Sequence, residues 1–107
     1  MEMKFQAYDD NDMLLEVEGF VTDLQDIDED EQVSNSFEFG YWDCYGKQDE
    51  PTAEGDGTLW VARDGDKYVV RDVAINNIGA GTVGETLDKD LKGILEAMLY
   101  DQIAEYL

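Results

Sequence analysis

Apolar side chains fall at alternate positions over most of residues 3–75 and switch to helical spacing only after residue 86. That change of period constrains the fold more than any other feature. Side chains repeat every second residue along a strand and about every 3.6 residues around a helix, so one segment cannot satisfy both patterns.

MKFQAY (3–8) alternates and runs into Asp9-Asp10-Asn11-Asp12, a turn signal. MLLEVEGFVTDL (13–24) sets Leu15, Val17 and Val21 on one face and Glu16, Glu18 and Thr22 on the other, the pattern of a long strand with one wet side. Gly19 inside it marks a bulge or a bend. The acidic stretch 23–34 is a loop, or at most a turn of helix. NSFEFGYWDCY (35–45) returns to period two, with Phe37, Phe39, Tyr41 and Tyr45 alternating against Glu38, Gly40, Trp42 and Cys44.

Residues 46–57 hold the one proline and three glycines and read as an exposed connection. TLWVARDGDKYVVRDVA (58–74) is the clearest local element, a hairpin closed by Asp64-Gly65 in a type I′ turn. A two-residue loop there pairs Arg63 with Asp66, Val61 with Tyr68 and Leu59 with Val70. After a Gly/Asn-rich loop (76–85), Thr86 serves as N-cap for a helix over 86–107. Leu87, Leu91, Ile94, Leu95, Met98, Leu99, Ile103 and Leu107 form its apolar stripe. The expected fold is α+β: one domain over residues 1–107, with an antiparallel meander of about five strands and a C-terminal helix packed on one face. Its length suits a single self-sufficient core.

Charge is the second constraint. The chain carries 27 acids against 7 bases and no histidine, for a net charge of −20. Residues 1–57 hold 18 acids against Lys4 and Lys47, net −16, whereas residues 58–107 hold 9 acids against 5 bases, net −4. Within 23–31 alone stand Asp23, Asp26, Asp28, Glu29, Asp30 and Glu31 with no cation between them. Such crowding destabilises a fold by self-repulsion, and its asymmetry predicts one intensely negative face.

No apolar run approaches the roughly 20 residues that span a bilayer, the start lacks the features of a secretory signal, and an anionic membrane surface would repel the chain. One cysteine, Cys44, cannot form an internal disulfide, which fits a reducing cytoplasmic compartment.

Motifs for chemistry are sparse. GAGTVG (79–84) matches the dinucleotide fingerprint in spelling, but the chain that follows is consumed by one helix and leaves no second parallel strand to complete the unit. Asp26-x-Asp28-x-Asp30 opens like a calcium loop, yet Glu31 and Phe37 stand where an EF-hand needs Gly and Glu. Without histidine the commonest general base and metal ligand are missing, and Ser34 and Ser36 have no activating partner. No catalytic residue, metal site or cofactor is expected.

The remaining signal is recognition. Residues two apart on one strand face stand about 6.8 Å apart, so Glu16 and Glu18 begin a ladder of charge comparable to the phosphates of a nucleic acid, which loop 23–31 would extend. Asp49 and Glu50 supply rim charges, and either Trp42 or Tyr41 supplies an aromatic anchor, since neighbours on a strand point in opposite directions. In size, charge and lack of catalytic residues the chain resembles small phage-encoded DNA mimics and the acidic immunity proteins that block nuclease toxins. That resemblance implies an inhibitor of a basic nucleic-acid-binding protein or nuclease. The chain itself is expected to touch neither nucleic acid nor membrane, and to be a monomer, or a homodimer if the apolar stripe of the C-terminal helix is wider than the sheet can cover. The alternatives are a halophile-adapted protein and a structural or regulatory acidic module that binds divalent cations weakly. Five Lys against two Arg and only seven Ala argue against the halophile.

Overall fold

Strand alternation carries through into an antiparallel sheet with one dry and one wet face. The computed structural model describes residues 1–8, 13–42, 51–80 and 89–107, without the side chains of 80 and 89–91. These residues form β1 (Glu2–Tyr8), β2 (Leu14–Phe20), β3 (Gln32–Trp42), β4 (Ala53–Asp64), β5 (Lys67–Ala80) and α1 (Lys89–Tyr106). The five strands pair in sequence order, each antiparallel to the next, so the meander is a plain one. The fold class is the α+β expected. Thr86, Leu87 and the GAGTVG tail lie outside the described residues, as do Cys44 and Tyr45. Among the described residues no helix is long and apolar enough to cross a membrane.

The dry face collects Met3 from β1, Leu15 and Val17 from β2, Phe37, Phe39 and Tyr41 from β3, Leu59 and Val61 from β4, and Val70, Val73 and Ile75 from β5. Leu95, Leu99 and Ile103 of α1 close over them, each fully buried, at the i, i+4, i+8 spacing of one helix face. Burying a ring such as Phe37 contributes roughly 1.5–3 kcal/mol. Ile94, expected in the same stripe, is instead exposed because it sits a quarter-turn off that line.

Sequence and structure part company along β4 and β5. Residues 53–57 and 76–80, read as connections because of their Gly and Asn content, are strand, and 53–56 pair with 77–80. Close backbone approach explains the glycines: a Cβ on Gly55 would sit 2.0 Å from the Asn77 carbonyl oxygen, and one on Gly57 would sit 2.4 Å from the Ala74 carbonyl oxygen and 2.5 Å from the Phe37 ring. Register shifts at Trp60/Val61 and Asp56/Gly57 leave Arg71 and Asn76 as extra residues. These two bulges let Val70, Val73, Ile75 and Ile78 all turn toward the core despite uneven spacing. The hairpin closes one residue later than expected. Gly65, at φ +63°, and Asp66 form the loop, which pairs Asp64 with Lys67, Arg63 with Tyr68 and Val61 with Val70. Glycine takes the left-handed position without steric cost, and an opposite-charge pair still flanks the turn. Gly19 marks no bulge. It keeps ordinary register, and a Cβ there would lie 2.7 Å from the Ser36 carbonyl oxygen.

The helix also seals the β5 edge. Glu96 accepts the Ile75 amide at 2.8 Å, and the Tyr100 hydroxyl donates to the Val70 carbonyl at 3.0 Å. Near its end, Tyr106 stacks on Phe5 of β1 with ring centroids 4.9 Å apart, so α1 spans the dry face from β5 to β1.

Gly57→Ala should lower stability by roughly 1–3 kcal/mol, because both atoms in its way are held by the core. Gly93→Ala, at an exposed helical position with nothing within 4 Å of the added carbon, should raise it by about 1 kcal/mol. Urea unfolding of the two variants checks both signs.

Candidate functional site: an acidic sheet face

Because Phe37, Phe39 and Tyr41 face the core, Glu38, Gly40 and Trp42 must face the opposite side. Register then sets their neighbours. Lys4 of β1 lies opposite Glu18 of β2, Glu18 opposite Glu38 of β3, Glu38 opposite Asp56 of β4, and Asp56 opposite Asn77 of β5. Three carboxylates therefore stand abreast on adjacent strands, about 4.8 Å from one to the next. A second row, one step of about 6.8 Å along the strands, runs Gln6, Glu16, Gly40, Glu54.

Trp42 lies in this second row's path. Its ring covers Gly40, where a Cβ would come within 2.8 Å of two ring carbons, and Gly40 is flanked by Glu16 and Glu54. The half-exposed indole thus rests on the sheet amid carboxylates. Lys4, Glu16, Glu18, Glu38, Trp42 and Glu54 line one shallow open groove, with Lys4 the one cation among its lining residues. Farther along the same face, Phe20 is 70% exposed beside Ser36 and Asp56.

Neutralisation of these acids is slight. Gln6 donates to the Glu16 carboxylate and Asn77 donates to Asp56 at 3.0 Å. Among the described residues the one ion pair joins the amino group of Met1 to Asp23, at 2.8 Å and well exposed, a geometry that contributes little stability. Among the described residues no three acids are grouped so as to hold a metal ion.

The loop acids stand apart from this face. Ile27 is fully buried, Tyr68 donates to the Thr22 carbonyl at 2.9 Å, and Arg63 reaches the Ile27 carbonyl at 3.4 Å. Arg63 and Tyr68 share the core side of the hairpin with Val61 and Val70, so the loop folds over the helix side of the sheet. Asp23, Asp26, Asp28, Glu29, Asp30 and Glu31 ring the anchored Ile27, all exposed. Leu24–Asp26 is a single 3-10 turn. The ladder begun by Glu16 and Glu18 therefore continues across the sheet through Glu38, Asp56 and Glu54 rather than into the loop.

Tyr41 is buried and cannot be the anchor, whereas Trp42 can. Asp49 and Glu50 lie outside the described residues. Sequence reading omitted Glu38, Glu54, Asp56 and Phe20. Alternation around Phe37 was enough to find Glu38, but Glu54 and Asp56 were hidden by glycines that made their strand look like a loop.

Burial is the main reason the Tyr68 phenol titrates above its usual range, with Asp23 and Asp26 adding to it and the Leu24 backbone opposing. A raised folded pKa means its contribution is fully present below about pH 10 and fades as pH climbs through the folded value. Tyr68→Phe should remove a phenol titrating above pH 10 from the ultraviolet titration and cost roughly 1 kcal/mol in urea unfolding.

Like charges opposite each other on paired strands oppose folding. Glu38→Gln, relieving both Glu18 and Asp56, should therefore stabilise the protein by roughly 0.2–1 kcal/mol, with the gain shrinking as salt is added. Equal or lower stability in thermal unfolding at low salt would contradict the repulsion.

Comparison with protein-family models, curated proteins and solved structures finds no match to this chain.

Proposed function

We propose that the protein is a non-enzymatic inhibitor that presents the open face of its sheet as a polyanion to a basic nucleic-acid-binding protein or nuclease. The observation that carries this reading is the Glu18–Glu38–Asp56 row, three carboxylates abreast that form no ion pair among the described residues. A surface that serves only for solubility gains nothing from placing acids opposite one another, because that arrangement costs stability. A receptor that gathers phosphates with Lys and Arg gains from it directly, through steered association and matched charge.

Trp42 adds the second element of an interface. The indole over Gly40, flanked by Glu16 and Glu54, offers a ring to a guanidinium or an apolar wall, with carboxylates as rim. Among the described residues the groove is lined by no hydroxyl, thiol or imidazole, and its carboxylates stand as a row of like charges, which favours the binding reading. The loop 23–31, on the other side, contributes long-range field rather than contact. A cytoplasmic setting, phage anti-defence and toxin immunity are all compatible uses of this one surface.

The test is retention of basic proteins. Immobilised protein should capture a DNA-binding protein or nuclease from a bacterial lysate at low salt and release it along a salt gradient. Replacing Glu18, Glu38 and Asp56 together by Lys should abolish capture. Asp26, Asp28 and Asp30 replaced by Lys should weaken it modestly, by slower association. Purified partner titrated against each variant should show a log K versus log salt slope that is shallower for the sheet variant than for the loop variant. Equal retention by the sheet variant would overturn the reading.

A further inference from the structure

The two edges of the sheet are treated differently. Along β5, Glu96 and Tyr100 of α1 occupy outward main-chain groups of Ile75 and Val70. Along β1 no described element lies beyond the strand. Which β1 groups face outward follows from one pair: Met1 and Val21 exchange both main-chain hydrogen bonds, at 2.7 and 2.8 Å. Antiparallel pairs alternate between bonded and non-bonded, so Met3 and Phe5 are also bonded to β2. The N–H and C=O groups of Glu2, Lys4 and Gln6 therefore point away from the sheet.

We infer that β1 pairs antiparallel with β1 of a second copy, about a twofold axis at Phe5, to make a continuous ten-stranded sheet. Three features favour a second copy as occupant. First, the register is self-complementary. It is centred on the middle of β1, sets Lys4 against the partner's Gln6, and brings no like charges opposite each other. A twofold at Lys4 would oppose two ammonium groups, and one at Gln6 would shorten the overlap. Second, the strand is free of proline and keeps ordinary register with β2 without a bulge, so every outward main-chain donor is retained, and Lys4 is its one cation. Third, the dry side of the seam is apolar. Phe5 meets its symmetry mate there, and each carries a Tyr106 stacked upon it that is still 43% exposed. On the wet side, the two Lys4 ammonium groups lie at the seam and relieve the repulsion between two acidic faces.

The pairing is independent of what the acidic face binds, and salt separates the two. Bringing two chains of −20 together is opposed by charge, so self-association should strengthen as salt rises, whereas capture of a basic partner weakens.

Sedimentation velocity from micromolar to millimolar protein, at low and high salt, should give a monomer–dimer equilibrium that salt shifts toward dimer. Over the same range, exchange of the Lys4 and Gln6 amides should slow at least tenfold, while Met3 and Phe5 stay protected throughout. Lys4→Pro removes an N–H that makes no bond among the described residues and should raise the dimer dissociation constant at least tenfold. Gln6→Pro, at the equivalent outward position, gives the same test should the first variant unfold. A monomer at every concentration and salt, fast exchange of Lys4 and Gln6 in concentrated protein, or a dimer unweakened by both prolines would overturn the proposal.

Discussion

Contact between the Phe37 ring and Gly57 governs the middle of this protein. The ring sits where any larger side chain at 57 would have to be, so β3 and β4 are locked in both spacing and register. Strand alternation then leaves no choice about the next residue. With Phe37 in the core, Glu38 points to the other face and meets Asp56 on one flank and Glu18 on the other. The hydrophobic effect on one side of the sheet thus enforces electrostatic crowding on the other. Slipping β3 by one residue would relieve the charge, but would expose Phe37, Phe39 and Tyr41 together, a loss several times larger than the two like-charge contacts.

This coupling explains how the chain tolerates its charge. Each like-charge neighbour costs a fraction of a kcal/mol, and the side chains on the dry face outweigh the sum. The open-face carboxylates are held in a lattice by backbone hydrogen bonds rather than by their own interactions. A basic partner meeting that lattice would find charges already in place, with little ordering left to do. The loop 23–31 holds more acids per residue, but they extend from a short turn pinned by the buried Ile27 and by Tyr68, and they look away from the sheet face. Local density in the sequence and organised density on the surface are different quantities here.

The helix has two tasks. It covers the dry face with Leu95, Leu99 and Ile103, and it closes one sheet edge with the Glu96 carboxylate and the Tyr100 hydroxyl. An acid used as a hydrogen-bond acceptor for a strand amide is a structural role that charge counting assigns to the surface. The β1 edge receives no such cover from the described residues, and this asymmetry between edges motivates the pairing of two copies.

Period and charge were legible from the sequence alone: strands before helix, an antiparallel α+β fold, a hairpin near residue 65, and an acidic leading half. These follow from local rules, since the burial of alternate side chains repeats with the backbone. Tertiary structure decided the rest. Glu54 and Asp56 join the acidic face because glycines at 55 and 57 permit a close approach that a linear reading mistakes for a loop. The bulges at Arg71 and Asn76 keep β5 in the core through a break in alternation that no periodicity can follow. Which acids stand together was settled by cross-strand register and by one buried isoleucine in the loop, both of which join residues distant in sequence, and distance along a chain carries no record of neighbours across a sheet.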